Sequence, residues 1–208
     1  MSISTYSELK TAVANWLMRG SDTDFATYVP DLIMLGENRI YRELRIRAME
    51  TALNSTIASG TVSVPSGYVE LKYAYIDASP VQHLTRKSAQ WIMENYPTRS
   101  SDGQPSFIAR DVDSFIFGPY PDSSYTVKGT YYKRLDALSN SNTTNWFTSN
   151  APDLLLFASL AEAEPFLQND ERVTLWEAKY QSVKKMLQMQ EKQEQFSGSP
   201  LSTTVSYA

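Results

Sequence analysis

The feature that most constrains this chain is an apolar run at residues 154–161, Leu-Leu-Leu-Phe-Ala-Ser-Leu-Ala. Just before it, Asn150 can cap a helix, Pro152 suits a first helical turn, and Asp153 places a negative charge near the positive end of the helix dipole. A helix that is apolar nearly all the way round is normally buried on every side. We therefore predict a central helix over 150–167, buried either by other helices of the same chain or against other copies of it.

The composition excludes several classes of protein. The 208 residues carry a formal net charge of −4, which argues against a broad surface for phosphate backbones. The chain has no cysteine, so disulfides and thiolate metal sites are impossible. Neither a secretory signal nor an apolar segment of about 20 residues is visible. We expect a soluble protein made in a cytoplasm, with a sizeable core.

The N-terminal quarter reads as two helices. A capping box at residues 5–8 and apolar residues at helical spacing predict a first helix that Gly20 ends. Pro30 and Asp31 predict the start of a second helix that runs to about Met49. Its buried stripe is expected to contain Ile33, Gly36 or Glu37, Ile40 and Leu44.

From residue 51 the periodicity changes to that of β-strands. The segment SGYVELKYAYID alternates, and we expect Val69, Leu71, Tyr73 and Tyr75 to share one face. A short helix is predicted from Ser88. Three further strands with tight turns follow, in QPSFIARD, DSFIFGPYP and YTVKGTYYKRL. The pattern predicts an antiparallel meander inserted between helical segments.

The C-terminal part reads as a long helix, with Val173, Trp176 and Tyr180 at helical spacing, followed by a Ser/Thr-rich tail. A tail with few apolar residues gains order only from a partner. The predicted fold is α+β: a helical bundle of two N-terminal and two C-terminal helices, an inserted antiparallel β-meander domain and an extended C-terminal arm. The expected domain boundaries are 1–50 with 137–195 for the bundle, 51–136 for the β insertion and its short helix, and 196–208 for the arm.

No catalytic, cofactor-binding or metal-binding residue is predicted. The single histidine, His83, has no acidic residue nearby in the sequence, so it fits a surface or strand position better than a triad. The pairs Asp22/Asp24 and Asp111/Asp113 lie in predicted turns, where aspartate bonds its own backbone. Neither pair has the further ligands of a calcium loop.

Arginines and glutamates alternate along the second predicted helix. Arg39 with Glu43, and Glu43 with Arg47, are spaced i to i+4 and can pair along one helix. One interpretation is a solvated face held by such pairs. The other is a contact surface between subunits or with a partner, because arginine forms bidentate contacts that suit interfaces. Nucleic-acid binding is disfavoured because the glutamates cancel most of the positive field.

Two other functions stay open on the residues alone. A carboxylate-based cell-wall hydrolase could work without histidine, and Glu162 and Glu164 are its candidates. Their spacing of two places them on different helix faces, which argues against a shared catalytic site. A ligand-binding module could instead use tyrosines such as Tyr73 and Tyr132, if they face away from the β core.

Several segments in collinear order resemble the adaptor, or head–tail connector, proteins of short-tailed bacteriophages. They include YSELKTAVANWLMR, VPDLIMLGENRIYRELRIRAMET, GTVSVPSGYVELKYAYID and IFGPYPDSSYTVKGTYYKRLDALS. The C-terminal match is TNWFTSNAPDLLLFASLAEAEPFLQNDERVTLWEAKY with FSGSPL. The resemblance runs over nearly the whole chain and is poorest over 78–104.

The resemblance implies a structural virion protein without catalytic residues or cofactor. Such proteins form a ring, commonly of twelve copies, that docks on the portal, extends the DNA channel and carries tail or nozzle proteins. DNA would pass through without being read, and no membrane would be involved. Residues expected at protein contacts lie on the second helix and in the terminal arm: Arg39, Arg42, Arg45, Arg47, Phe196, Pro200, Leu201 and Tyr207.

Overall fold

A computed structural model describes residues 3–57, 59–100, 102–163 and 172–196. The chain forms two compact units. The helical unit is Met1–Ala48 with Leu135–Ala208, and the β unit is Met49–Arg134. The described residues contain six α-helices: α1 (Tyr6–Trp16), α2 (Thr23–Glu43), α3 (Ala89–Asn95), α4 (Trp146–Asn150), α5 (Pro152–Glu162) and α6 (Val173–Phe196).

The strands all lie in the second unit. They are β1 (Glu50–Thr56), β2 (Thr61–Ser63), β3 (Tyr68–Ile76), β4 (Gln82–His83), β5 (Thr85–Arg86), β6 (Phe107–Asp111), β7 (Ser114–Gly118) and β8 (Thr126–Lys133). The mixed α+β class predicted from the sequence is confirmed.

Helix α1 begins with the predicted capping box. The Thr5 hydroxyl accepts a hydrogen bond from the Glu8 N–H at 3.3 Å, and the Glu8 carboxylate accepts one from the Thr5 N–H at 3.0 Å. Each side chain satisfies a backbone donor that the first helical turn would otherwise leave without a partner. This local signal therefore fixes the start of the chain's first helix.

Helix α2 starts and ends elsewhere than predicted. Asp22 caps it by accepting a 2.9 Å hydrogen bond from the Phe25 N–H, so the helix begins seven residues before Pro30. Pro30 lies inside the helix, where it costs one backbone hydrogen bond. The helix ends at Glu43 because Leu44 is extended, with φ −121° and ψ 138°. The predicted helical pairing of Glu43 with Arg47 is therefore wrong.

The start of the central apolar helix is also corrected. Asn150 belongs to the short helix α4, which Asn145 caps together with Thr148. Helix α5 then begins at Pro152, and its N-cap residue, Ala151, has no side chain that could cap it. Helix α5 ends at Glu162 with Ala163 as its C-cap, and residues 164–167 of the predicted helix lie outside the described residues.

Helix α5 is buried along most of its length. Leu154, Leu155, Ala158 and Ser159 are fully buried. The helix contacts α1, α2, α4 and α6, which are the other helices that the structure describes in this unit. The four other described helices of this unit therefore all pack against the apolar helix α5.

Helices α2 and α5 approach each other closely at Gly36. A Cβ atom at Gly36 would lie 2.9 Å from the Ser159 backbone nitrogen and 3.2 Å from the Ala158 carbonyl carbon. Small residues on both sides are therefore a condition for this packing distance. Of the two alternatives for the buried stripe, both Gly36 and Glu37 are buried, along with Ile33, Ile40 and Leu44.

The β unit is built from two four-stranded sheets rather than one meander. Their strand orders are β1-β8-β3-β4 and β2-β7-β6-β5, and β5 pairs with β6 in parallel. Buried side chains from both sheets form one core, which includes Leu53, Ile76, Phe117 and Val127. The prediction of a simple meander is wrong, because the first and last long strands, β1 and β8, pair with each other in one sheet.

Strand β3 departs from the predicted alternation. Its pairing with β8 shifts register between Leu71 and Tyr73, and such a bulge exchanges the faces of the residues that follow. Ala74 and Ile76 consequently enter the core, whereas Tyr73 is 49% exposed. The prediction that Tyr73 and Tyr75 share the face of Leu71 is therefore wrong.

The short helix α3 begins where the sequence predicts. The Ser88 hydroxyl caps it by accepting a hydrogen bond from the Trp91 N–H at 3.1 Å. Ile92 is fully buried and packs with Ala109 and Ile116 in a second small core. Helix α3 thus covers residues of β6 and β7.

The close approach at Gly36 leads to a stability prediction. From helix propensity alone, Gly36→Ala would raise the free energy of unfolding by about 1 kcal/mol. We expect the opposite sign, a loss of about 1–3 kcal/mol of unfolding free energy, because the new methyl group meets the α5 backbone. Urea denaturation measures the difference, with the exposed Thr27→Ala in the same helix as control. A Gly36→Ala protein more stable than the parent would contradict this packing.

Candidate functional site

Arg39, one of the four arginines predicted to contact another protein, lies in an ion-pair cluster within its own chain. Its Nε is 3.0 Å from Glu43 Oε1, its Nη2 is 2.6 Å from Glu177 Oε1, and its Nη1 is 3.6 Å from Glu162 Oε1. The three carboxylates belong to α2, α6 and α5 respectively. One guanidinium therefore joins the three helices, and its side chain is only 18% exposed.

Tyr180 and Lys184 of α6 complete this cluster. The Arg39 guanidinium lies over the Tyr180 ring, 4.3 Å from its centroid, a distance at which cation and ring attract. The Tyr180 hydroxyl donates to Glu43 Oε2 at 3.1 Å, and Lys184 Nζ lies 2.7 Å from the same oxygen. We call Arg39, Glu43, Glu162, Glu177, Tyr180 and Lys184 the Arg39 cluster.

The protonation states of the cluster follow from its geometry. Burial alone would raise the pKa of the Glu43 carboxyl, but hydrogen bonds from Lys184, Arg39 and Tyr180 together lower it. The hydrogen bond from Arg39 lowers the pKa of Glu177. Burial, followed by the charge of Glu43, raises the pKa of the Tyr180 hydroxyl. Glu43 and Glu177 are therefore held as charged carboxylates beside a neutral phenol, an arrangement suited to holding helices together.

The other three arginines have different surroundings. Arg45 donates from Nη1 to the Tyr41 and Leu44 carbonyls at 2.7 and 2.9 Å, so it caps the end of α2. Arg42 is exposed and forms no ion pair with a described residue. Arg47 has an exposed side chain, while its backbone N–H donates to Glu191 of α6 at 2.9 Å. Whether any of them contacts another protein stays a prediction.

Arg47 also lines a cleft of about 500 Å³ beside the C-terminal half of α6, together with Trp146, Leu187 and Glu191. Phe196 is the last residue of α6. The other candidates in the terminal arm, Pro200, Leu201 and Tyr207, lie outside the described residues.

The remaining candidates from the sequence do not converge on one site. Asp22 caps α2, and the hairpin between β6 and β7 holds Asp111 and Asp113. His83 is exposed in β4, where its ring lies 6.3 Å from the Tyr75 ring. Glu162 belongs to the Arg39 cluster, whereas Glu164 lies outside the described residues.

The described residues contain neither a metal-binding group of side chains nor a helix that could span a membrane. Within residues 3–57, 59–100, 102–163 and 172–196, no three His, Cys, Asp or Glu side chains form a group that could hold a metal ion. Among the same residues, no helix combines the length and hydropathy needed to cross a bilayer.

The sequence placed Glu37 in the buried stripe of α2 as an alternative to Gly36, but it did not indicate a role for the Glu37 carboxyl. The Glu37 side chain is buried in the helical unit, with only 4% of its surface exposed. Its Oε1 accepts hydrogen bonds from the Asn145 amide at 3.1 Å and from the Leu138 N–H at 3.4 Å. Burial raises the pKa of the Glu37 carboxyl to about 7, although these hydrogen bonds oppose the shift. Its position in the buried stripe of α2 was the available signal.

The comparison with protein families identifies the chain. Residues 4–204 match the family model described as SU10 adaptor protein, which covers nearly the whole sequence. The chain therefore belongs to the family of SU10 adaptor proteins, adaptors of short-tailed phages, and the resemblance drawn from the sequence is confirmed. No curated protein matches the sequence. Family membership implies a structural, non-enzymatic role.

The Arg39 cluster leads to a comparison of two arginines on the same helix. Arg39→Ala leaves three carboxylates without their shared cation, so we expect a loss of roughly 2 kcal/mol of unfolding free energy. Arg42→Ala is the matched control and should stay within about 0.5 kcal/mol of the parent. Urea denaturation at neutral pH and low salt measures both. Equal effects of the two substitutions would show that the cluster does not stabilise the fold.

The buried carboxyl of Glu37 leads to a pH dependence of stability. Its pKa is raised from 4.5 in the unfolded chain to about 7 in the folded protein, so the folded state binds this proton more tightly. The stabilisation is complete below about pH 4.5 and is lost as the pH rises through 7. Between pH 5 and pH 8 the unfolding free energy should fall by roughly 2–3 kcal/mol more in the parent than in Glu37→Gln.

Chemical denaturation across that pH range tests this prediction, because the other titrating groups cancel between parent and variant. Glu94→Gln, at an exposed position of α3, is the control and should keep the pH profile of the parent. Parallel profiles for the parent and Glu37→Gln would contradict a proton bound at Glu37.

Proposed function

We propose that this chain forms a ring, of twelve copies, that docks on the portal vertex of a short-tailed phage. The ring extends the DNA channel and provides the platform on which tail or nozzle proteins assemble. The observation that carries the proposal is the family match over residues 4–204. A family described as an adaptor supports a location in the neck of the virion and contacts with the proteins on either side.

The organisation of the chain supports different roles for its parts. We propose that the helical bundle, residues 1–50 and 137–195, forms the body of the ring, and that the β insertion, residues 51–136, decorates it. The C-terminal arm, 196–208, would reach into a neighbouring protein through Phe196, Pro200, Leu201 and Tyr207. A helical unit packed around one mostly buried apolar helix supports this division.

The charge of the chain is compatible with a channel through which DNA slides. Its formal net charge is −4, and two of the four arginines on and after α2, Arg39 and Arg45, bind the chain's own groups through their guanidinium groups. A wall without a broad basic surface makes few contacts with phosphates, so DNA is not held. Arg42 and the exposed side chain of Arg47 are the arginines left for contacts with the portal or with another subunit.

The proposal is tested by measuring mass with light scattering, first on the chain alone and then on a mixture with the portal of the same virus. We expect the portal to gain the mass of a ring, twelve times 23.5 kDa, because twelve copies bind around its axis. The portal alone serves as the reference. A chain that stays monomeric and leaves the mass of the portal unchanged would overturn the proposed function.

A further inference from the structure

The outer face of α2 between residues 24 and 35 combines apolar and acidic side chains. Tyr28, Met34 and Leu35 are 46%, 51% and 41% exposed. Asp24 and Asp31 are exposed on the same stretch. Spacings of three, four and seven residues bring these positions onto one side of a helix. We call these five residues the acidic face.

The outer face of α6 has the opposite charge. Leu175, Met186 and Met189 are 47%, 57% and 54% exposed. The same side of the helix carries three exposed lysines, Lys179, Lys185 and Lys192, which form no ion pair with any described residue. Glu177 of the same helix is paired with Arg39. The basic face is defined as the part of this surface nearest the C-terminus of α6: Lys185, Met186, Met189 and Lys192.

The two faces lie at different ends of the helical unit. Helices α2 and α6 run in the same direction, because Arg39 contacts Glu177, Glu43 contacts Lys184, and the Arg47 N–H contacts Glu191. The acidic face is centred about eight residues before Arg39, and the basic face about ten residues after Glu177. At 1.5 Å per residue these centres are roughly 27 Å apart along the helices, so one copy does not join its own two faces.

We propose that the acidic face of one copy docks on the basic face, around Lys185 and Met186, of a neighbouring copy. Asp24 and Asp31 meet lysines, and Tyr28, Met34 and Leu35 meet methionines, whose flexible side chains adapt to an irregular surface. A contact between two different faces is head-to-tail, and it generates a closed ring when the rotation between copies closes. This inference rests on the proposed ring and specifies the surfaces that build it.

The absence of cysteine from the chain allows a direct test by cross-linking. The double variant Leu35→Cys with Met186→Cys is assembled with the portal and treated with a short bis-maleimide. We expect a ladder of covalent multimers on a denaturing gel, because every copy supplies one thiol to each of two neighbours. The single variants Leu35→Cys and Met186→Cys are the matched controls and should remain monomeric on the same gel.

Each alternative outcome has a distinct meaning. Efficient dimers from a single-cysteine variant would show that like faces meet, which overturns the head-to-tail contact. A ring detected by light scattering that yields no ladder would overturn these surfaces and leave the proposed function standing. Failure of the parent chain to form any multi-copy species, alone or on the portal, would overturn the proposed function together with this inference.

A charge exchange provides a second test that does not depend on the cross-linking register. Asp31→Lys and Lys185→Glu should each weaken assembly on the portal by about tenfold, because each places like charges opposite one another. The combined variant should recover most of the loss. Asp136→Lys, at an exposed loop position of the helical unit, is the matched control and should assemble like the parent. A combined variant weaker than both single variants would overturn the pairing of these faces.

Discussion

The close approach of α2 to α5 at Gly36 is the constraint on which the helical unit depends. Helix α5 is buried along most of its length, so its neighbours must cover it, and α2 lies near enough only because Gly36 faces Ala158 and Ser159. At the margin of this contact, Arg39 joins α2 to Glu162 of α5 and Glu177 of α6. Apolar packing and a shared cation therefore fix the same three helices.

This use of Arg39 changes how the arginine-rich segment is understood. A guanidinium shared by three carboxylates and a tyrosine ring stabilises its own subunit, and Arg45 similarly caps its own helix. The surfaces that we propose for assembly are the outer sides of α2 and α6, where apolar side chains are accompanied by aspartates on one helix and by lysines on the other. In this proposal, folding and assembly rely on different sides of the same helices.

The features that could be predicted from the sequence are those with local causes. The capping box at Thr5, the buried stripe from Ile33 to Leu44 and the start of α3 at Ser88 each depend on residues a few positions apart. The start predicted at Pro30 was wrong because a first-turn proline is a common start signal, whereas Asp22, eight residues earlier, caps the actual start. Local patterns also gave the α+β class, since helical and strand periodicities occupy separate stretches.

What could not be predicted depends on contacts distant in sequence. The bulge in β3 arises from its pairing with β8. The arrangement of two sheets requires β1 to pair with β8, and the paired residues are 70 or more positions apart in the sequence. Glu37 is buried because Leu138 and Asn145, about 100 residues later, supply its hydrogen bonds. The Arg39 cluster likewise needed the partners on α5 and α6, of which the sequence indicated only Glu43.

The central claim, that this chain builds a ring in the neck of a phage, is tested most directly by a cryo-electron microscopy map of that neck. The account predicts that the helical unit fits repeated density around the DNA channel directly below the portal, with α2 of each copy beside α6 of the next. A neck whose density below the portal is fully explained by other proteins would contradict it. Copies found singly at the side of the tail would contradict it as well.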